Sequence, residues 1–138
     1  MYTEENKAIV RQFFEVGPCK GDINAVNELL SPDFTMHVPL PAPAGIEGIK
    51  EVITTCRSAF EHLNVTIEDM VAEGDKVVAR FTARGIHSGD FMNLPATGKP
   101  ITITGIEIFR IKDGKIAELW GEVNLLGLMQ QLGIFSSP

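Results

Sequence analysis

The chain has 138 residues, of which 44% are hydrophobic and 22% charged. These values are typical of soluble globular proteins and argue against disorder, and the length predicts one domain over residues 1–138. The formal net charge is -6, and Lys and Arg form no cluster. Nucleic acid and anionic membrane surfaces are therefore not expected as partners. Without a long apolar run or an export signal, the sequence predicts a cytoplasmic protein.

The residue types that hold metals and cofactors are sparse. Three histidines are scattered along the chain, and Cys19 and Cys56 lack the spacing of a metal knuckle or a redox pair. Glycine-rich phosphate loops and the motifs of zinc proteases and serine hydrolases are also missing. We therefore expect no metal and no cofactor. Any chemistry would be proton transfer by carboxyl, imidazole or amide groups.

The first half of the chain shows the apolar period of helices. One helix is predicted from a cap at Thr3 to Gly17-Pro18, and a second from a cap at Asp22 to Ser31-Pro32. A short strand over residues 34–38 and a Pro-rich loop precede the third helix. Its apolar stripe comprises Ile49, Val52, Ile53, Cys56 and Phe60.

In the second half the apolar period changes from 3.6 to 2, which is typical of strands. Four strands are predicted, over residues 63–71, 77–87, 101–111 and 115–123. Asp113-Gly114 is a strong hairpin signal, and a last helical segment covers residues 125–132. Helices followed by an antiparallel meander predict an α+β fold, with the helices covering one face of a curved sheet.

Several polar side chains fall in rows of otherwise apolar residues. His87 shares the phase of Val77 to Ala83, and Glu107 shares that of Ile101 and Phe109. On the fourth predicted strand, the face of Ile116 is shared by Glu118, Trp120, Glu122 and Asn124. A lone buried charge costs several kcal/mol, so such groups should be paired, protonated or facing a cavity. This pattern is what a polar-lined pocket would show.

Each of these residues also has a structural interpretation, because phase alone does not identify the covered face. Glu118 could pair with Arg84 or Arg110 in a surface ladder, and Glu122 could be solvated. His87 and His37 both lie at predicted strand ends, where a hydrogen-bonded structural role is common. The aromatic residues are candidates both for the core and for a cavity wall: Phe60, Phe91 and Trp120.

Motifs along almost the whole chain resemble one family. The most diagnostic are the segment 83–92 with Pro-Ala-Thr-Gly-Lys at 95–99, and the segment 109–116 leading to Glu118 and Trp120. The start, with Leu-Ser-Pro-Asp-Phe at 30–34, and the tail over residues 125–133 are similar as well. His37 matches a histidine often found after that Asp-Phe. In this order the motifs resemble the SnoaL-like polyketide cyclases of the NTF2-like superfamily.

The resemblance implies a conical α+β fold in which N-terminal helices pack on a strongly curved, mostly antiparallel sheet. It also implies a homodimer formed through the sheet, and a cavity for a small-molecule ligand. The family's cyclases close a ring by an intramolecular aldol reaction in which a carboxylate transfers the proton. That carboxylate follows the Trp of the last strand. We match its position to Asn124, which cannot act as a base but can hydrogen-bond a carbonyl or an enolate oxygen.

The leading hypothesis is a cofactor-free cyclase or isomerase of a small apolar carbonyl compound. His87 and one of Glu107, Glu118 and Glu122 would transfer protons, with Asn124 at the oxyanion. The ligand contacts are predicted to be Met36, His37, Phe60, Phe91, Trp120 and Leu128. The alternatives are a non-catalytic carrier of a hydrophobic metabolite, a structural role, and epoxide hydrolysis by Arg110 with Glu107 and Glu118.

Overall fold

The computed structural model describes residues 2–134. Four α-helices and five strands follow one another along the chain, with a π-helical turn, Glu15–Cys19, after the first helix. In chain order they are α1 (Tyr2–Phe14), α2 (Ile23–Leu29), β1 (Leu30–His37), α3 (Ile46–Ala59), β2 (Phe60–Glu73), β3 (Lys76–His87), β4 (Pro100–Lys112), β5 (Lys115–Val123) and α4 (Leu125–Gln131). Within residues 2–134 no helix is long and apolar enough to cross a membrane.

The five strands form one sheet in the order β1-β5-β4-β3-β2. β2 to β5 are an antiparallel meander, and β1 pairs in parallel with β5 at the edge. The helices α1 and α3 cover one face, which we call the inner face. The predicted α+β class is therefore confirmed.

Two apolar clusters hold the helices against the inner face. The larger contains Phe13 and Phe14 of α1 packed on Phe109 of β4, with ring centroids 5.6 and 5.8 Å apart. Burying each of these rings contributes about 1.5–3 kcal/mol. The smaller cluster joins Phe60 at the start of β2 to Leu128 of α4. Side chains of both clusters line the space that remains between them.

The element boundaries differ from the predicted ones where a helix meets a strand. β1 begins at Leu30, four residues before the predicted start, and includes Pro32, which an edge strand tolerates because Pro has no N–H to donate. The third helix ends at Ala59, so Phe60 is the first residue of β2. The first helix continues into the π-helical turn past Gly17, where a Cβ atom would lie 3.2 Å from side-chain atoms of both α2 and α3.

β5 contains a bulge at Ala117, which reverses its side-chain alternation. Arg110 of β4 lies opposite Glu118, whereas the next residue, Ile111, lies opposite Ile116. Ile116 and Ala117 are consequently both buried. Beyond the bulge the odd-numbered residues face inward. The prediction that Glu118, Trp120, Glu122 and Asn124 share the face of Ile116 is therefore wrong.

Candidate active site

A cavity of about 140 Å³ lies between the helices and the inner face of the sheet. We call it the inner cavity. Its walls are almost entirely apolar. The helices contribute Phe14, Ile49, Val52 and Leu128, and the sheet contributes Phe60, Val65, Phe81 and Ile103. The two titratable side chains among its described lining residues are Glu107 and Cys56.

Glu107 projects into this cavity from the middle of β4. Its partner across the strand pair is Gly121 of β5. A Cβ atom placed on Gly121 would lie 3.0 Å from Oε2 of Glu107 and 3.2 Å from Cγ1 of Val38, closer than most real Cβ contacts. Because glycine has no side chain, position 121 leaves room for the carboxyl group of Glu107. This placement agrees with the apolar phase of Glu107 in the sequence.

The Glu107 carboxyl group accepts no hydrogen bond from any described residue, and no described cation pairs with it. Removal from water disfavours its charged form, and this burial raises the pKa of Glu107 to about 7. At neutral pH both protonation states are then populated. A carboxyl group in this condition is suited to take up a proton and return it.

Cys56 lies on α3 and lines the same cavity. Burial, and next to it the charge of Glu107, raise the pKa of the Cys56 thiol to about 11. The group therefore stays a thiol at neutral pH and is a weak hydrogen-bond donor rather than a nucleophile. The cavity thus contains one proton-exchanging group and one weak donor.

His87 is fully buried at the end of β3, but it is absent from the cavity wall. The backbone N–H of Thr97 donates to Nδ1 at 3.2 Å, and the Thr97 hydroxyl lies 3.0 Å from the same atom. Because Nδ1 is an acceptor, the neutral ring carries its proton on Nε2, which has no partner among the described residues. These contacts make His87 an anchor for the loop between β3 and β4.

Glu118 lies on the outer face of the sheet, away from the cavity. Its Oε2 is 2.8 Å from Nε2 of His37, and its Oε1 accepts from Nε of Arg110 at 3.2 Å. The His37 ring stacks on Trp120 with centroids 5.6 Å apart. The hydrogen bond to His37 is the main cause that lowers the pKa of Glu118. The alternative that Glu118 pairs with Arg110 across the strands matches this geometry.

Glu122 and Asn124 are exposed and do not line the inner cavity. Asn124 is the N-cap residue of α4, and its Oδ1 accepts from the backbone N–H of Gly127 at 2.8 Å. This bond satisfies one of the free N–H groups at the helix start. The side chain of Asn124 is thus engaged away from the cavity, and the bulge in β5 explains why the phase argument misplaced it.

Three of the predicted ligand contacts, Phe60, Phe91 and Leu128, line the cavity. Met36 does not, because it is buried under α3 in the larger apolar cluster. His37 and Trp120 are on the outer face with Glu118.

The sequence analysis missed Gly121 and Cys56 as cavity residues. A glycine within a strand pattern indicates a close approach by another group, so Gly121, directly after Trp120, carried a usable signal. Cys56 carried none, because its position in the stripe of α3 is equally typical of a core residue.

Metal binding and epoxide hydrolysis each need a set of groups that the described part of the chain does not bring together. No three His, Cys, Asp or Glu side chains within residues 2–134 are placed to hold a metal ion. Arg110 and Glu118 lie on the outer face and Glu107 on the inner one. The carboxylate-Arg-carboxylate arrangement considered for epoxide hydrolysis is therefore not assembled.

The sequence model of the SnoaL-like polyketide cyclases matches residues 8–132. The chain belongs to this family. Aklanonic acid methyl ester cyclase DnrD from Streptomyces peucetius is 31% identical over 107 residues, which cover 77% of this chain and 72% of that enzyme.

Solved structures agree with this assignment to the SnoaL-like family. TsrD from Streptomyces laurentii is 35% identical and superposes with a TM-score of 0.85 over 96% of this chain and 97% of its own. IdmH from Streptomyces antibioticus is 31% identical, with a TM-score of 0.81 over 93% and 98% of the two chains. The predicted SnoaL-like polyketide cyclase family is confirmed.

Proposed function

We propose that this SnoaL-like protein closes a ring in a small, apolar, carbonyl-rich molecule, with Glu107 as the group that transfers the proton. The observation that carries this proposal is the position of Glu107: its carboxyl group lies in the inner cavity without a hydrogen bond or ion pair to a described residue, and the pKa is raised to about 7. A structural carboxylate would be paired, as Glu118 is.

The reaction needs only one proton-transferring group. The Glu107 carboxylate takes a proton from a carbon next to a carbonyl, and the electron pair of that C–H bond delocalises into an enolate. The enolate carbon attacks a second carbonyl of the same molecule, forming a C–C bond and an alkoxide. The alkoxide takes the proton back from Glu107. The product is an isomer of the substrate, so the balance requires no external reactant.

The cavity offers the enolate oxygen few donors. The Cys56 thiol stays protonated at neutral pH and is the one titratable donor that faces Glu107 across the described cavity. We infer that the substrate supplies most of the charge delocalisation, through carbonyls conjugated with the reacting carbon. A 1,3-dicarbonyl or a hydroxyaryl ketone has this property.

At the position matched to the family's carboxylate this chain has Asn124, which caps α4 and cannot act as a base. We propose that Glu107 replaces that carboxylate from the neighbouring strand. Support comes from the place of Glu107 in the wall of the inner cavity, on the strand paired with β5, and from the space that Gly121 leaves for its carboxyl group.

A second candidate is a carrier that binds a hydrophobic metabolite without turnover. The almost wholly apolar wall of the cavity favours it, since apolar walls bind but do not react. A carrier gains nothing from an unpaired carboxyl group in an apolar cavity, however, because its removal from water costs stability. This cost is the reason to prefer the enzymatic proposal.

Deuterium exchange at the activated carbon of benzoylacetone, followed by NMR in D2O, tests the proposal. The wild-type protein should accelerate exchange, and Glu107→Gln should reduce the protein-dependent rate by about 10²-fold or more. Glu118→Gln is the matched control, because it removes the same charge from the other face of the sheet. Binding of benzoylacetone without accelerated exchange would favour the carrier. Equal loss in both variants would contradict the role of Glu107.

We also propose the homodimer that the family resemblance implies, and the cytoplasmic location that the sequence pattern predicts. The exposed side chains of Val71 and Ile106 on the strands are compatible with an apolar contact between subunits. Sedimentation velocity at several concentrations would test the dimer.

A further inference from the structure

A second pocket lies directly outside the inner cavity. Its volume is about 130 Å³, and we call it the outer pocket. The two share four side chains, which we call the partition: Leu40, Val52, Cys56 and Phe91. The two spaces are therefore neighbours with these four residues as a common wall.

The outer pocket is more polar than the inner cavity. Glu51 and Thr55 line it from α3, one position before Val52 and Cys56, so one helix faces both spaces. Both residues are exposed, and Glu51 forms no ion pair with a described residue. By contrast Glu47, one turn earlier on α3, pairs with Lys50 at 3.6 Å and does not line the pocket. The outer pocket thus contains a carboxylate and a hydroxyl beside apolar walls.

Phe91, which belongs to the partition, is buried in the smaller apolar cluster and is also held by contacts within its own loop. Its N–H and C=O groups bond the backbone of Leu94 at 3.0 and 2.8 Å, and its ring lies 5.1 Å from that of Phe60. The loop base is fixed separately, by bonds from Ser88 and Gly89 to Ala59. The partition at Phe91 is therefore a packed side chain carried by a loop between the inner cavity and the outer pocket.

We propose that the outer pocket is a second subsite for the ligand of the inner cavity, and that it receives a hydroxyl or ammonium group carried on a short chain. Glu51 and Thr55 would accept hydrogen bonds from that group, and the chain would pass between the partition side chains. This proposal rests on the proposed function for the apolar part of the ligand. It adds a polar, hydrogen-bond-donating end to an otherwise apolar carbonyl compound.

Four compounds test the subsite: benzoylacetone, and three derivatives whose para-propyl chain ends in an ammonium, a hydroxyl or a methyl group. Affinities are measured by isothermal titration calorimetry at low salt, because the ammonium contact is screened by ions. The ammonium and hydroxyl compounds should bind about fivefold more tightly than the methyl compound. Glu51→Gln should remove the advantage of the ammonium compound, and Thr55→Val should reduce that of the hydroxyl compound.

Glu47→Gln is the matched control, since it removes one negative charge from the same helix outside the pocket. Retention of the ammonium advantage in Glu47→Gln supports the subsite, whereas a loss equal to that in Glu51→Gln overturns it in favour of a general field effect. Equal affinities for all three chains also overturn it. If benzoylacetone binds without exchange while the chain preferences hold, the subsite stands and the proposed catalysis falls. If none of the four binds, both proposals fail.

Discussion

Glu107 and Glu118 lie on neighbouring strands, in opposite directions from the same sheet, and differ in every property that matters for chemistry. Glu107 faces an apolar cavity without a partner, and its pKa is raised to about 7. Glu118 faces outward between His37 and Arg110, and its pKa is lowered. The surroundings, and not the residue type, therefore decide which carboxyl group exchanges protons near neutral pH.

Of these two carboxyl groups, only Glu107 lowers the stability of the folded chain when it is charged. Glu107 binds its proton more tightly in the folded chain, where its pKa is about 7, than in the unfolded chain, where its pKa is about 4.5. Stability must therefore fall as the pH rises from about 4.5 to about 7. Glu118 has the opposite effect, because its pKa is lowered in the folded chain. Its contribution to stability is present above the pKa of the unfolded chain and is lost as the pH falls through the pKa of the folded chain.

The largest expected effect is on the pH dependence of stability in Glu107→Gln. The neutral amide removes a penalty of up to about 3 kcal/mol that the wild type carries above pH 7. Urea denaturation at pH 5 and pH 8 should show the variant gaining stability relative to the wild type at the higher pH. Glu122→Gln, on an exposed carboxylate, is the control. A constant difference between the two pH values would contradict the assigned surroundings of Glu107.

A smaller effect is expected when the carboxyl group is moved across the strand pair. In Glu107→Ala/Gly121→Asp the charge moves from β4 to the paired position on β5, into the space that Glu107 has left. Exchange of benzoylacetone should recover by about tenfold over Glu107→Ala alone, which is short of the full rate because the new group is not oriented. Glu107→Ala/Gly121→Asn is the matched control. Equal recovery with Asn would show that a carboxyl group is not required.

The role of Asn124 gives a smaller effect again. Asn124→Ala should destabilise the protein by about 1 kcal/mol, because α4 loses its N-cap. Asn124→Asp should keep the cap and should not raise the exchange rate, because the side chain is engaged outside the cavity. Thermal unfolding and the exchange assay measure the two outcomes. A clear gain in rate with Asp would restore the original match of the family carboxylate to this position.

The smallest effect is expected for Glu118→Gln. Its pair with His37 and Arg110 is solvent-exposed, and such pairs contribute little to stability. The melting temperature should fall by only a few degrees at pH 7, and the difference should shrink as the pH is lowered toward 3. A large loss of exchange activity in this variant would remove the contrast between the two faces.

The sequence predicted the parts of this picture that depend on period and order. The alternation in β4 correctly set Glu107 among inward-facing residues, and the motifs identified the family. The bulge at Ala117 had no signal, because its two consecutive buried residues, Ile116 and Ala117, read as ordinary alternation with one small residue. One added residue reversed the face of everything after it in β5. That single shift misplaced Glu118, Trp120, Glu122 and Asn124.

Two other features were out of reach for a different reason. The burial of Met36 and the opening at Gly121 depend on how α3 and Val38 approach the sheet, which is a property of packing between distant segments. His87 was correctly predicted to face inward, yet its Nδ1 is occupied by Thr97 of the following loop. Phase gives the side of a strand, but not what lies there.

The most direct test is a titration of the glutamate side chains by carbon-13 NMR, with the Glu107 and Glu118 signals assigned from their Gln variants. Glu107 should titrate with a midpoint of about 7, and Glu118 below its usual range of about 4.5. Midpoints near 4.5 for both residues would contradict the account, because the inner cavity would then give Glu107 no property that the outer face denies to Glu118.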